Sequence, residues 1–182
     1  MGADAKVSDV QDAPNLLGEA THDRDGFIAA MKRFASGVTI VTTVDDDGSW
    51  KGFTASAFCS LSLDPPLVLV CQARTSSSYD AFTRCDRFLV NILGEEHQEL
   101  ALGFARSGGD KFAGGHWVPG RVSGLPLLPD ALAVVGCEVH ARYDGGDHDI
   151  YVGSVYSVRV RDGAPMLHFD SRFWGIAGGE GH

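Results

Sequence analysis

Residues 52–64 read GFTASAFCSLSLD, and within them hydroxyl and apolar side chains take turns. Thr54, Ser56, Ser60 and Ser62 occupy even positions, Phe53, Ala55, Ala57, Cys59, Leu61 and Leu63 occupy odd ones, and Phe58 breaks the alternation. Because successive strand side chains point to opposite faces, this spacing gives one apolar face and one face of small hydrogen-bonding groups. Pro65 and Pro66 then remove two backbone donors and end the ladder before the apolar run LVLVC at residues 67–71. The pattern predicts a half-buried antiparallel strand, with Ala55 and Leu61 toward the core and the hydroxyl row facing outward. Alternation by itself leaves open whether that row meets water or a ligand. So long a strand also needs a bend or bulge to wrap a small barrel, and Phe58 is the expected place.

Outward from this stretch, VTIVTTV at residues 38–44 is rich in β-branched residues, and DDDGS at 45–49 is a strong turn signal, so the two strands form a hairpin. LVLVC, FLVNIL at 88–93, the runs flanking the DGGD turn at 144–147, and MLHF at 166–169 supply further strands. Helices are expected in three places. Asp25 precedes an apolar row at Phe27, Met31 and Phe34 that Gly37 can stop, a serine near residue 77 can cap a short helix, and residues 95–106 carry acids at their start. Residues 107–130 hold six glycines and three prolines with little periodicity, which predicts a long structured loop. Seven or so strands without βαβ alternation predict a mainly β fold, an antiparallel barrel with a few flanking helices.

The chain has 182 residues, 44% of them hydrophobic and 21% charged, which suits one globular domain with a sizeable core. Its formal charge of −9 argues against nonspecific binding to nucleic acid or to an anionic membrane. Six acids against Lys6 and Arg24 make residues 1–25 an expected mobile tail, leaving residues 26–176 as the domain and 177–182 as a second tail. No secretory or membrane-spanning stretch is recognised, so the expected location is cytoplasmic. Cys59, Cys71, Cys85 and Cys137 show no CxxC spacing and are expected to be buried free thiols.

Motifs for protein-borne chemistry are scarce. No serine sits in GxSxG, no HExxH pair occurs, and in residues 103–111 the lysine is displaced from a phosphate-loop position with no hydroxyl residue after it. No metal site and no certain catalytic residue are expected. A reaction whose reactive atoms belong to bound cofactors needs the protein for positioning and electrostatics, and hydride transfer is such a reaction.

The strings SGVTIVTT, GFTASAF, SLSLDPPLVLV, FLVNIL, DKF and GGDHDIYVG, in this order, resemble the flavin reductase-like family, and within it the NAD(P)H:flavin oxidoreductase components of two-component monooxygenases. The resemblance runs from about Phe27 to Trp174 and implies a homodimeric, antiparallel Greek-key split β-barrel. It also implies that FMN or FAD lies against Thr54, Ala55, Ser56 and Ala57, with Ser60, Leu61 and Ser62 near the ribityl chain or phosphate. Gln72, Ser76, Ser77 and Ser78 are candidates for the phosphate end, where the serines can equally be a helix cap. Lys111 and Phe112 are expected to close that end, and Phe173 and Trp174 to flank the flavin from a partner subunit or to anchor the terminus. Gly146, Asp147 and His148 resemble the segment that receives the nicotinamide nucleotide, with Tyr151 packed near it. Ser56 and Cys59 depart from the amide or hydroxyl that many relatives carry.

What the resemblance implies for function is hydride transfer from NADH, less readily NADPH, to a flavin that then leaves for a partner monooxygenase. Two alternatives stand beside it: a flavoprotein whose tightly held FMN reduces another acceptor, and a non-catalytic flavin-binding electron carrier.

Overall fold

A computed structural model of the chain describes residues 23–106, 108–121 and 123–176. The expected tails at 1–22 and 177–182 lie outside the described residues. The chain divides into two compact units, residues 1–31 and 32–182. In the first, helix α1 (Arg24–Met31) carries the expected apolar row, but none of its residues is buried, and it ends at Met31, ahead of Phe34 and of the expected stop at Gly37.

The second unit is built mainly of antiparallel strands: β1 (Ser36–Gly37), β2 (Thr39–Val44), β3 (Trp50–Ala55), β4 (Phe58–Leu63), β5 (Pro66–Ala73), β6 (Arg87–Ile92), β7 (Val118–Pro119), β8 (Pro126–Leu127), β9 (Ala133–Gly145), β10 (His148–Val160), β11 (Met166–Phe169) and β12 (Arg172–Gly175). Helix α2 (Tyr79–Arg84) follows β5, and a single 3-10 turn at Glu95–His97 leads into α3 (Gln98–Ala105). Seven strands form one sheet in the order β3-β2-β6-β9-β10-β5-β4, while β1-β11-β12 and β7-β8 make two small sheets.

This order has a geometric consequence. β3 and β4 lie at opposite edges of the seven-stranded sheet, yet only Ser56 and Ala57 separate them in the chain. The sheet must therefore curl until its edges approach. β3 touches β5, and the Cys71 amide donates to the Ala57 carbonyl at 3.0 Å. Among the described residues no ladder joins β3 to β4.

The stretch that opened the sequence analysis is thus two strands instead of one, broken at Ser56 and Ala57. The break falls immediately before Phe58, where the interruption is expected, and a second irregularity, a register shift, falls between Ser60 and Ser62. As an edge strand beyond the bend, β4 buries none of its residues. Leu61 is 50% exposed, which corrects its expected place in the core. Cys59 on the same strand is exposed and Cys71 half-buried; only Cys85 and Cys137 are the buried thiols expected of all four.

β2 departs from alternation in the other sense, because both of its faces are covered. Ile40 joins a core of Val38, Leu89, Leu93, Ala101, Phe104 and Trp117, while Val41 joins one of Phe53, Ala55, Val70, Phe82, Phe88 and Tyr151. A hydroxyl buried without a partner costs stability, and the threonines of β2 avoid that cost. Thr39 donates to Ala55 O at 3.0 Å, Thr42 to Pro126 O at 2.6 Å and Thr43 to Arg87 O at 2.8 Å. Asn91, also buried, donates to Ile40 O and accepts from the Leu128 amide, both at 3.0 Å. Together with Thr42 it pins the far end of the 107–130 connection onto the sheet.

Candidate functional site

α3 lies against β3 because β3 carries a glycine where the helix approaches. A Cβ at Gly52 would stand 2.9 Å from Phe104 Cε1 and 2.9 Å from Val41 O. Two residues on, the Thr54 hydroxyl donates to Ala101 O at 2.7 Å and fixes the helix on the strand. This brings the C-terminal end of α3 beside the Ser56–Ala57 bend and the end of β5. Between them opens a cleft of about 690 Å³, counting its mouth. That size suits a small-molecule site.

The floor of the cleft is Thr54, Ala55, Ser56 and Ala57. Cys71, Ala73, Thr75, Ser76 and Ser77 form one wall, Phe104, Ala105, Arg106 and Lys111 the other, and His148 stands at the end. None of the lining residues is a carboxylate, whereas two, Arg106 and Lys111, are basic. In a chain of net charge −9 that separation of sign makes the cleft an attractive place for an anion.

Lys111 reaches it from the long connection. Its Nζ donates to Phe104 O at 2.9 Å, satisfying a carbonyl at the C-terminal end of α3, where a cation is favoured. Burial without a paired carboxylate lowers its pKa below the usual lysine value. Phe112, next in the chain, turns away from the cleft floor and packs against Trp50, Phe104 and Trp117, with ring centroids 5.6, 5.0 and 5.3 Å away. It serves as the anchor that holds Lys111 in place.

His148 is the first residue of β10 and sits opposite both Gly145 and Ala73. The tight turn before it needs Gly146, whose φ is +83°, a conformation costly for other residues. Arg74 clamps this turn to β5. Its amide donates to Asp147 O at 3.0 Å, and its guanidinium reaches Asp144 at 2.9 Å and Asp149 at 2.7 Å. The Tyr79 hydroxyl at the start of α2 donates to the other oxygen of Asp149 at 2.7 Å. The Tyr79 and Arg74 hydrogen bonds hold the Asp149 carboxyl below its ordinary pKa. The serine-rich loop and the hairpin turn are therefore joined by one network, and His148 is aimed from a braced support, with its Nδ1 2.7 Å from Asp147 Oδ1.

A family model for the flavin reductase like domain matches residues 31–177. This chain belongs to that family. Actinorhodin polyketide dimerase of Streptomyces coelicolor is 47% identical over 153 residues, covering 84% of this chain and 86% of that protein. The flavin-dependent monooxygenase reductase subunit HsaB of Rhodococcus jostii is 40% identical over 151 residues, covering 82% of this chain and 76% of the subunit. Among solved structures, the NADH:FAD oxidoreductase SgcE6 of Streptomyces globisporus C-1027, in complex with NAD and FAD fragments, matches with a TM-score of 0.81 and 34% identity, covering 87% of this chain and 96% of that one.

Of the residues the sequence singled out in this flavin reductase family member, Thr54, Ala55, Ser56, Ala57, Ser76, Ser77, Lys111 and His148 converge on the cleft. Ser60, Leu61 and Ser62 lie along the edge strand outside its lining. Gln72 is fully buried; its Nε2 donates to Ser78 Oγ at 3.1 Å, and Ser78 in turn lies 3.0 Å from Ser76 Oγ. Both support the serine loop from behind, and Ser78 makes no side-chain cap to α2. Tyr151 is a core residue, edge-on to Phe82 at 6.2 Å. Phe173 packs on the first core, and Trp174 is half-exposed with its Nε1 donating to Phe169 O at 3.1 Å, both on β12 and away from the cleft lining. Gly146 and Asp147 stay in the turn behind His148.

Cys71, Ala73 and Thr75 were not foreseen. Their spacing of two along β5 is the signal, once β5 is known to run beside the Ala57 bend. Phe104, Ala105 and Arg106 had no local signal, since a helix end shows its neighbour only after packing.

Proposed function

We propose that this chain is an NADH-dependent flavin reductase that passes hydride to FMN or FAD and supplies the reduced flavin to a separate monooxygenase. The observation that carries the reading is the carboxylate-free cleft itself, floored by small groups, flanked by Lys111 and Arg106, and ended by His148. These residues fit a flavin. The small floor at Thr54–Ala57 accepts a flat ring and offers backbone groups and the Ser56 hydroxyl to its carbonyls, the Thr54 hydroxyl being held by Ala101 O, while Ser76, Ser77 and Lys111 suit a phosphate. A bound flavin supplies the hydride-accepting ring, which explains why the sequence lacks a protein acid-base motif. His148, braced by the Arg74 network, orients the nicotinamide nucleotide over that ring. The names of the relatives, a monooxygenase reductase subunit and an NADH:FAD oxidoreductase, support the donor and the partner class.

The finer architecture in this proposal is a split barrel working as a homodimer in the cytoplasm. The curl that brings β3 and β4 within two residues of one another is in keeping with it. Among the described residues no helix is long and apolar enough to cross a membrane.

The test is NADH and NADPH oxidation with FMN, FAD and riboflavin supplied separately. Saturable dependence on added flavin is expected; turnover independent of it means that the flavin is a held prosthetic group. His148→Ala should raise KM for NADH with little change in flavin affinity. An unchanged KM removes the nucleotide role of His148, and absence of flavin bleaching by NADH without oxygen removes the enzyme reading.

A further inference from the structure

Two of the four cysteines share the face of the sheet that opens onto the cleft. Along β5, Val68, Val70 and Gln72 are buried while Leu69, Cys71 and Ala73 are half-buried on the opposite side, and Cys71 and Ala73 line the cleft. On β4, Cys59 pairs with Leu69 and Phe58 with Val70; one step further along the same register the Cys71 amide donates to Ala57 O at 3.0 Å. Cys59 therefore stands diagonal to Cys71 across this ladder, on the same face. Such diagonal neighbours have Cα atoms about 7–8 Å apart and Cβ atoms closer. Burial pushes the Cys71 thiol pKa up, and the charge of Cys59 adds to the rise, as it does only between near neighbours. A disulfide tolerates Cα separations up to about 6.8 Å, so closing one here must draw the strands together by about 1 Å. β4 is free to yield: it is an edge strand paired with β5 alone, none of its residues is buried, and its register shift lies just beyond Cys59.

An oxidant arises from the activity itself. Reduced flavin that meets dioxygen instead of a monooxygenase passes it two electrons and two protons, which returns oxidised flavin and hydrogen peroxide. We propose that Cys59 and Cys71 are a peroxide-sensitive pair whose disulfide weakens flavin binding in the cleft, a feedback that rests on the flavin reductase reading. Exposed Cys59 meets the peroxide first. Its thiolate attacks one oxygen, the O–O bond breaks, Cys59 becomes a sulfenic acid, and the hydroxide released takes up a proton to leave as water. The Cys71 sulfur then attacks the sulfenic sulfur; the S–S bond forms, the S–O bond breaks, and the second oxygen leaves as water with the Cys71 proton. Two thiols have lost two electrons to one peroxide. The Cys71 sulfur is turned out of the cleft wall toward β4, and Ala57 of the floor, which adjoins β4, shifts with that strand. A bond made against strand separation is more easily reduced, which makes the change reversible by a cellular dithiol.

The reduced whole chain is treated with hydrogen peroxide, its disulfides are mapped by peptide mass spectrometry, and FMN affinity is measured before oxidation, after it, and after dithiothreitol. The expected result is a Cys59–Cys71 bond with buried Cys85 and Cys137 still reduced, and an FMN dissociation constant raised on the order of tenfold, the loss of about one good contact, that dithiothreitol restores. Cys59→Ser should bind FMN as the unaltered protein does and lose the response to peroxide. In Cys71→Ser, dimedone should trap the Cys59 sulfenic acid that no longer has a thiol to meet. Absence of a bond, a bond between any other pair, or a bond that leaves FMN affinity unchanged overturns the proposal. Turnover of NADH and FMN in air should build up the same bond and catalase should prevent it; a bond that forms with added peroxide and never during turnover overturns the feedback. Failure of the reduced protein to oxidise NADH with any flavin is the separate result that removes the flavin reductase reading, and it leaves the mapped cysteine chemistry standing.

Discussion

Lys111→Met removes one charge from the cleft and keeps most of the side chain's apolar stem. Two consequences can be separated. Within the protein the Phe104 carbonyl loses its 2.9 Å donor at the end of α3, a cost of about 1 kcal/mol in stability for one hydrogen bond. In the complex the phosphate loses a charge-assisted contact, worth about 1.5–3 kcal/mol, and partial exposure of Lys111 favours the lower half of that range. FMN affinity should therefore fall roughly 10- to 50-fold. Riboflavin lacks the phosphate and tests the assignment directly: its dissociation constant should change by less than about threefold, the share expected from a slightly loosened α3. Parallel titrations of both flavins, with thermal unfolding as the control for stability, make the comparison. Equal losses for FMN and riboflavin would falsify the phosphate role and leave Lys111 as a structural cap. The pH dependence follows from the same group. Because burial lowers the Lys111 pKa, the charge is lost below the ordinary lysine range, and FMN affinity should fall as pH rises through that lowered pKa while riboflavin binding does not.

Arg74→Ala should raise KM for NADH through His148 with kcat changed less, since the turn loses its clamp to Asp144 and Asp149 while the flavin floor keeps its contacts; a change confined to flavin affinity would refute this positioning role. Asp149 gives the clamp an acid limit. Its folded pKa lies below the ordinary 3.8, so its contribution is complete above that value and disappears as pH falls through the lower one, which hydrogen exchange at Gly146 and Asp147 should report as turn opening. An alkylating reagent should modify exposed Cys59 with or without FMN, whereas Cys71, half-buried in the cleft wall with its thiol pKa raised by burial, should react slowly and be protected by FMN; labelling of Cys71 that FMN does not slow would argue against flavin in this cleft. Gly153→Ala places a Cβ 2.6 Å from Phe88 Cζ and 2.8 Å from Cys137 Cβ, both core atoms, and should cost about 1–3 kcal/mol in denaturant unfolding; a neutral result would mean that β10 can shift at its register irregularity.

What the sequence made legible was local: the hairpin after residue 38, the β-branched strands, the turn at residues 144–147 and the helix ending near residue 106. Thr54 to Ala57 and His148, which line the cleft, were singled out through the family resemblance, since alternation alone leaves open whether the hydroxyl row meets water or a ligand. Gln72 and Tyr151 were not legible as buried supports, for the side to which a polar residue turns depends on which strands flank its own. The same holds for Leu61. Alternation assigns two faces, but only the position of β4 at the sheet edge decides that neither face is covered.

The strand order explains why the cleft forms where it does. Within the sheet, an interior residue has backbone donors and acceptors consumed by two neighbours, which leaves few for a ligand. At Ser56 and Ala57 the chain leaves one edge of the sheet and enters the opposite edge, so these two residues join no ladder among the described strands, and Ala57 O accepts the Cys71 amide. Polar backbone is thereby exposed beside small side chains, on a segment held rigid by strands before and after it. α3 cannot cover that bend, because Thr54 and Gly52 fix the helix one turn earlier and its C-terminal end is occupied by Lys111. Moving the break along the hydroxyl row would carry the ligand-facing backbone away from Lys111 and His148 together. The position of the bend, more than the hydroxyls that surround it, is what makes GFTASAF the floor of the cleft.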